Sequence, residues 1–154
     1  MSTRSCIGEV LPDGHVRAIY CHGDGGLHRG SVGWTLATFY ASADRVASLL
    51  DLGDCSRLMP ALGRRHRFGK APANWSTFYG RDRGERGRAS RVYADLEQFE
   101  VERAGWGHVE FLYVWARGGG WSVCEVDLES GLVSQWQSLA ARLEGVGVHR
   151  NREE

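Results

Sequence analysis

Nine residues, His-Val-Glu-Phe-Leu-Tyr-Val-Trp-Ala at 108–116, restrict the fold of this chain more than any other stretch. Side chains alternate across a strand, so Val109, Phe111, Tyr113 and Trp115 share one face and Leu112 and Val114 the other. Apolar groups on both faces predict a central strand covered on both sides. Arg-Gly-Gly-Gly follows at 117–120, and Trp-Ser-Val-Cys-Glu-Val-Asp-Leu at 121–128 reads as the returning strand of a hairpin.

A second hairpin signal opens the chain. Residues 3–11 and 15–22 read as strands joined through Pro12, Asp13 and Gly14, which suit a type I turn closed by a glycine bulge. Pro12 has no N–H to close a two-residue Asp-Gly turn. Leu11 should therefore face His15, which sets Ile7 opposite Ile19, Cys6 opposite Tyr20 and Arg4 opposite His22. That register puts Cys6 and Cys21 on opposite faces. No disulfide between them is expected, in keeping with a reducing compartment.

Helical patterns fill the space between and after the hairpins. One follows Ser31 as an N-terminal cap and carries Trp34, Leu36, Phe39 and Tyr40. A second carries Val46, Leu49 and Leu50 and stops at Gly53. A third is expected from about Ser90, with Val92, Leu96 and Phe99 inward. The last is expected over 131–145, where Leu132, Trp136, Leu139 and Leu143 step at helical spacing. That stripe should dock on the sheet face of Phe111, Tyr113 and Trp115. Residues 54–90, with Pro60 and Pro72 and many glycines, read as loops with short ordered pieces. The order predicts an α+β fold: a mainly antiparallel sheet built from two hairpins, with helices largely on one face. Residues 1–148 are expected to form one domain, and 149–154 a frayed tail.

At 154 residues and 42% apolar composition the chain can bury a core without staples. No apolar run approaches the roughly 20 residues that span a bilayer, and the first residues lack a signal-peptide layout. A cytoplasmic protein without membrane contact is expected. The net charge of zero hides an asymmetry: residues 63–91 hold nine basic groups against two acidic ones, and 92–154 hold five against eleven. The basic block either attracts phosphate or pairs with the acidic C-terminal part.

Two polar clusters can carry chemistry. In Tyr-Cys-His-Gly-Asp-Gly, residues 20–25, adjacent Cys21 and His22 point to opposite faces, whereas His22 and Asp24 can share one. His-x-Asp occurs in metal sites but needs further ligands; a His22–Asp24 hydrogen bond that orders the loop is the simpler expectation. His15, His28, His66, His108 and His149 show no ligand spacing, and the four cysteines form no Cys-x-x-Cys. In Tyr-Gly-Arg-Asp-Arg-Gly-Glu, 79–85, Arg81 and Arg83 can present forks to a phosphate or carboxylate, or the segment can be a salt-bridged surface loop. The nucleotide loops G-x-x-x-x-G-K-[ST] and G-x-G-x-x-G after a strand are absent, as is G-x-S-x-G. Of the six tryptophans, Trp75 in the basic block is the one placed to stack on a base.

The segments Met-Ser-Thr-Arg-Ser-Cys-Ile-Gly, Tyr-Cys-His-Gly-Asp-Gly, Val-Gly-Trp-Thr-Leu-Ala-Thr-Phe-Tyr, Leu-Leu-Asp-Leu-Gly-Asp-Cys-Ser-Arg-Leu, Tyr-Gly-Arg-Asp-Arg-Gly-Glu and Val-Glu-Phe-Leu-Tyr-Val-Trp-Ala, in that order across residues 1–116, resemble a family of small bacteriophage-encoded proteins of unassigned function. These open M-S-T-R-S-x-I-G, continue Y-C-H-x-D-G-Y-P and later carry Y-x-R-D-R-G-E. The chain departs from that pattern with Gly-Leu-His-Arg-Gly at 26–30. The resemblance implies a phage accessory protein of the host-takeover or anti-defence type, acting in the bacterial host cytoplasm. Its recurring polar residues fall here on Arg4, His22, Asp24, Arg81, Asp82, Arg83 and Glu85. One expectation is a binding protein in which Arg4, His22, Asp24, Arg81 and Arg83 capture an anionic ligand such as a nucleotide, a nucleic acid or a host partner, aided by the helix N-terminus at Ser31, with no cofactor or metal. The other is a metal-assisted phosphoester hydrolase using His22, Asp24, Asp82 and Glu85. Convergence of the carboxylates on His22 would favour the hydrolase, and their pairing with the arginines a structural role.

Overall fold

The computed structural model of the chain describes residues 2–144; the expected tail at 149–154 and the end of the expected last helix lie outside these residues. β1 (Arg4–Val10) and β2 (Val16–Cys21) form the N-terminal hairpin. Leu11 N–H donates to His15 O and Gly14 sits at φ +92°, so the turn is the three-residue loop that Pro12 dictates. Ile7 pairs with Ile19 and Cys6 with Tyr20, the expected register. All four cysteines are free and buried.

Two helices come next, α1 (Val32–Phe39) and α2 (Ala43–Asp51), the second capped by Ser42 Oγ accepting from Arg45 N–H. After α2 come β3 (Cys55–Arg57), β4 (Thr77–Phe78) and the five-residue α3 (Tyr79–Arg83). β5 (Arg91–Tyr93) and α4 (Leu96–Arg103) lead to the long strand β6 (Val109–Ala116) and its hairpin partner β7 (Gly120–Glu125). β8 (Gln137–Ser138) and the short α5 (Leu139–Arg142) close the described chain.

These elements make an α+β fold around one mixed sheet, ordered β4-β3-β2-β1-β6-β7-β8, with β5 also on β2. The sheet is therefore mixed and not mainly antiparallel as expected: the hairpins are antiparallel, but they join through a parallel contact between β1 and β6, and β2 meets β3 in parallel. β6 is central, as its two apolar faces require. One core holds Ile7, Ile19, Cys21 and Tyr113 beneath α1, α2 and α5; the other holds Cys6, Val16, Leu112 and Val114 beneath Phe99 of α4. Most helices thus lie on one face. Among the described residues no helix is long and apolar enough to cross a membrane.

The structure corrects three local readings. Val109 joins the core opposite that of Phe111, because the register with β1 slips between Arg4 and Ser5 and one extra residue of β6 intervenes. Residues 91–93 form a strand on β2, and the helix begins only after Asp95, whose carboxylate accepts from Gln98 N–H at 2.8 Å; Val92 is consequently exposed. The last helix shrinks to 139–142. After β7 the chain turns back, Asp127 N–H donates to Leu132 O, and Val133 bridges Val126. The open edge of β7 supplies hydrogen bonds that outweigh the helical pattern of 131–138. In that extended segment Trp136 packs on the second core and Leu132 is 73% exposed, whereas Leu139, the first residue of α5, packs on the first core. The stripe does not dock as a unit.

Candidate functional site: an arginine–aromatic surface

The glycine loop that ends β2 is built to seat α1. Gly25 N–H donates to Thr3 O at 2.7 Å, and a Cβ on Gly25 would lie 2.8 Å from that same oxygen, so the approach requires glycine. The buried Tyr113 hydroxyl donates to Gly25 O at 2.6 Å and also reaches Gly26 O at 3.0 Å. Asp24 adopts φ +50°, and its carbonyl accepts from Val32 N–H while Gly26 O accepts from Gly33 N–H. Two N–H groups at the start of α1 are therefore occupied by the loop itself. Ser31 is fully buried with Oγ 2.6 Å from His28 Nε2. The helix N-terminus is closed to an outside anion, contrary to its expected role.

His22 does not bond Asp24. Its Nδ1 lies 2.9 Å from the hydroxyl of Tyr20, two residues back on the same face of β2. Arg4 opens β1, and its side chain turns to the loop before β6, donating from Nη1 to Gly107 O at 3.0 Å. No described hydrogen bond links Arg4 to His22.

Asp82 and Arg81 form a buried knot. The Asp82 side chain is fully enclosed; its oxygens accept from Arg81 Nε at 2.9 Å, Phe78 N–H at 2.8 Å and His66 N–H at 3.1 Å. Burial pushes this carboxyl up, but the bonds from Arg81, Phe78 and His66 outweigh it and hold the pKa below its ordinary value. Arg81 also donates to Leu62 O and Ser76 O, both at 2.9 Å. Arg81 thus spends its fork on the protein's own chain and has no face for a ligand: the expected ligand arginine is a structural ion-pair partner. His66 completes the knot, with Nε2 3.0 Å from Ser76 O and Nδ1 2.8 Å from Arg67 O. Both ring nitrogens face carbonyl oxygens and both must donate, which favours the imidazolium. The Ser76 carbonyl is the largest influence raising its pKa.

A second buried carboxylate was missed in the sequence. β5 and β3 share one edge of β2 and leave Tyr20 N–H between them. Asp54, 2% exposed, fills that gap: Oδ1 accepts from Tyr20 N–H at 2.8 Å, and Oδ2 lies 3.0 Å from Arg88 Nε and 3.5 Å from Arg91 Nη1. Arg88 is thereby aimed across the surface of the sheet's end.

Around this frame the arginines and aromatic rings alternate. The Arg83 guanidinium carbon lies 4.3 Å from the Phe68 ring centroid and 5.1 Å from that of Tyr79; the Arg88 carbon lies 4.1 Å from Tyr79 and 6.0 Å from Tyr20. Tyr20 meets the half-exposed Trp106 edge-on at 5.7 Å, and Arg103 covers Trp106 at 4.5 Å. Nearby, Arg64 covers Trp75 at 5.7 Å. The result is one continuous stripe from Phe68 to Arg103. Burial pushes the Tyr20 phenol up to about 12, so it stays a neutral hydrogen-bond donor.

Of the sequence-singled residues, Arg83 lies in the stripe, His22 hangs from it through Tyr20, and Arg4 lies close enough to bear on the Tyr20 hydroxyl. Arg81 sits beneath it. Asp24 belongs to the α1 anchor. The expected five-residue pocket is not assembled by any described hydrogen bond or ion pair among its members. Nor do the hydrolase ligands meet: Asp82 pairs with Arg81, Glu85 pairs with Arg83 at 2.7 Å, and among the described residues no group of three or more His, Cys, Asp or Glu side chains is placed to hold a metal ion. Cys6 and Cys124 offer no reactive thiolate, since burial pushes both up to about 12.

The basic block also keeps its charge. Its described ion pairs run to Asp54, Asp82 and Glu85, and none reaches the acidic residues beyond position 91. Arg64, Arg65, Arg67, Lys70 and Arg86 are exposed and enter no described ion pair.

No protein-family model matches the chain, and no curated protein or solved structure matches it.

Proposed function

We propose that this protein binds single-stranded nucleic acid along the arginine–aromatic stripe. The observation that carries this is the alternation Phe68–Arg83–Tyr79–Arg88–Tyr20–Trp106–Arg103, flanked by Arg64, Arg65, Arg67, Lys70 and Arg86, which enter no described ion pair. Aromatic and guanidinium planes accept stacked bases of any sequence, and free cations track phosphates. A single strand suits this surface better than a duplex. Apart from Arg103 at the C-terminal end of α4, the cations lie on the loop before β4, on the five-residue α3 and on the turn after it, not along a helix that could enter a major groove. The exposed side of α4 instead carries Glu97 and Glu102 and would repel phosphate. The resemblance to small phage proteins supplies the setting: an accessory factor acting on nucleic acid inside an infected bacterium.

Fluorescence anisotropy with labelled single-stranded and duplex oligonucleotides tests this. Single strands should bind more tightly, with log K falling about 0.7 per phosphate contact against log salt. Reversing the charge of Arg64, Arg65 and Arg67 together should flatten that slope, and Trp106→Ala should cost about 1–3 kcal/mol as lost stacking. Salt-insensitive binding, or a preference for duplex, would refute the reading.

A further inference from the structure

The β1–β2 and β6–β7 hairpins diverge. β1 and β6 lie side by side and parallel, yet β1 continues to β2 on one side and β6 to β7 on the other. In open parallel sheets such a divergence leaves a crevice beyond the carboxyl ends of the strands, where ligands bind. This chain has a cleft there of about 360 Å³, between Val10, Leu11 and Pro12 on one turn and Trp115, Ala116 and Arg117 on the other, under the first turns of α2. The volume falls in the range of small-molecule sites. The space exists because α2 offers Ala43 and Ala47 to it, where larger side chains would fill it.

The cleft's chemistry is anionic and aromatic. Glu9 sits in register with Trp115 on β6 and with Arg17 on β2. Its side chain is only 16% exposed, yet its one described partner is Arg17 at 3.3 Å. Arg17 is better engaged elsewhere, with Asp51 at 2.6 Å. Glu9 Oε1 enters no described hydrogen bond or ion pair, and neither does the Asp44 carboxylate on the opposite wall. Both carboxylates therefore keep acceptor capacity open toward the cleft, available to a donor that enters it. Arg117, exposed at the rim, is the lining's single cation.

We infer that this cleft binds a small ligand bearing a primary ammonium on a short aliphatic stem. The ammonium lies between Glu9 and Asp44, the stem against Trp115, Ala43 and Ala47, and the indole face adds attraction for the cation. An ammonium fits better than a second guanidinium because Glu9 is already flanked by the Arg17 guanidinium at 3.3 Å, and a compact cation with three tetrahedral donors needs less room beside it. A free diamine and an amino acid share this chemistry; Arg117 would favour the second by meeting its carboxylate.

Calorimetric titration of the full chain with putrescine and with γ-aminobutyrate tests the site, with acetate and inorganic phosphate as controls. Saturable binding of at least one amine is expected, and the tighter of the two identifies the source. Asp44→Asn and Glu9→Gln should each weaken it about tenfold or more, the scale of a hydrogen bond to a charged group. Ala47→Leu should abolish it by filling the space. Asp44 is exposed, so its variant folds whatever the effect at Glu9. No saturable amine binding, unchanged affinity in Asp44→Asn, or preference for acetate or phosphate would overturn the proposal. None of these outcomes bears on nucleic-acid binding, since the stripe meets this hairpin only at Tyr20, near the end of β2, and the cleft sits at the hairpin's opposite, turn end.

Discussion

Removing the carboxylate of Asp82 tests whether the Arg-Asp-Arg segment is a structural knot. Asp82→Ala strips acceptors from Arg81, from Phe78 N–H and from His66 N–H. The Arg81 side chain is 13% exposed and would keep only Leu62 O and Ser76 O. Breaking one partner of a buried ion pair typically costs about 3–5 kcal/mol. The two retained carbonyls and the residual exposure of Arg81 place the expected loss near the lower bound, about 3 kcal/mol. Arg81→Ala should cost a similar amount, and the double variant clearly less than the sum, because each single variant strands the other group. Urea unfolding at neutral pH measures this as a shift in midpoint at constant slope. The folded-state pKa of Asp82 is depressed, so its contribution is present above the unfolded value of about 4 and is lost as pH falls through the folded value. Wild type should lose this increment below about pH 4, and Asp82→Ala should not. A single-variant loss under about 1 kcal/mol, or strict additivity, would show that the pair is solvated and that Arg81 is free for a ligand after all.

His66 gives the opposite pH dependence. Its pKa is raised, so its stabilisation is full below about pH 6.5 and declines as pH rises through the folded value. Replacing it with Gln should remove that decline in thermal melts taken across the range. The split of the C-terminal stripe predicts unequal leucines: Leu139→Ala, at a fully buried position, should cost about 3 kcal/mol, whereas Leu132→Ala, 73% exposed, should stay within about 0.5 kcal/mol. Equal losses in a denaturant melt would restore the continuous helix.

Local chemistry alone determined much of this protein. Pro12 excluded a two-residue turn, and that one missing N–H fixed the register from Val10 opposite Val16 to Ser5 opposite Cys21. Apolar residues on both faces of 108–116 made β6 central. The start of α4 was also legible: Asp95 and Gln98 stand at capping-box spacing, and the pattern of Val92, Leu96 and Phe99 concealed it. Only the tertiary structure decided the rest. Residues 131–138 carry a helical period, but the unpaired edge of β7 lies beside them, and backbone pairing there overrides the pattern. The parallel contact of β1 with β6 joins segments about a hundred residues apart, and no local spacing encodes it. For the same reason the sequence could nominate Arg81 and Arg83 equally. Folding aims Arg81 at Asp82 and at the Leu62 and Ser76 carbonyls within the knot, and leaves Arg83 outside on Phe68 and Tyr79. Whether a guanidinium meets a carbonyl or solvent depends on where distant chain passes, which is a property of the fold and not of the motif.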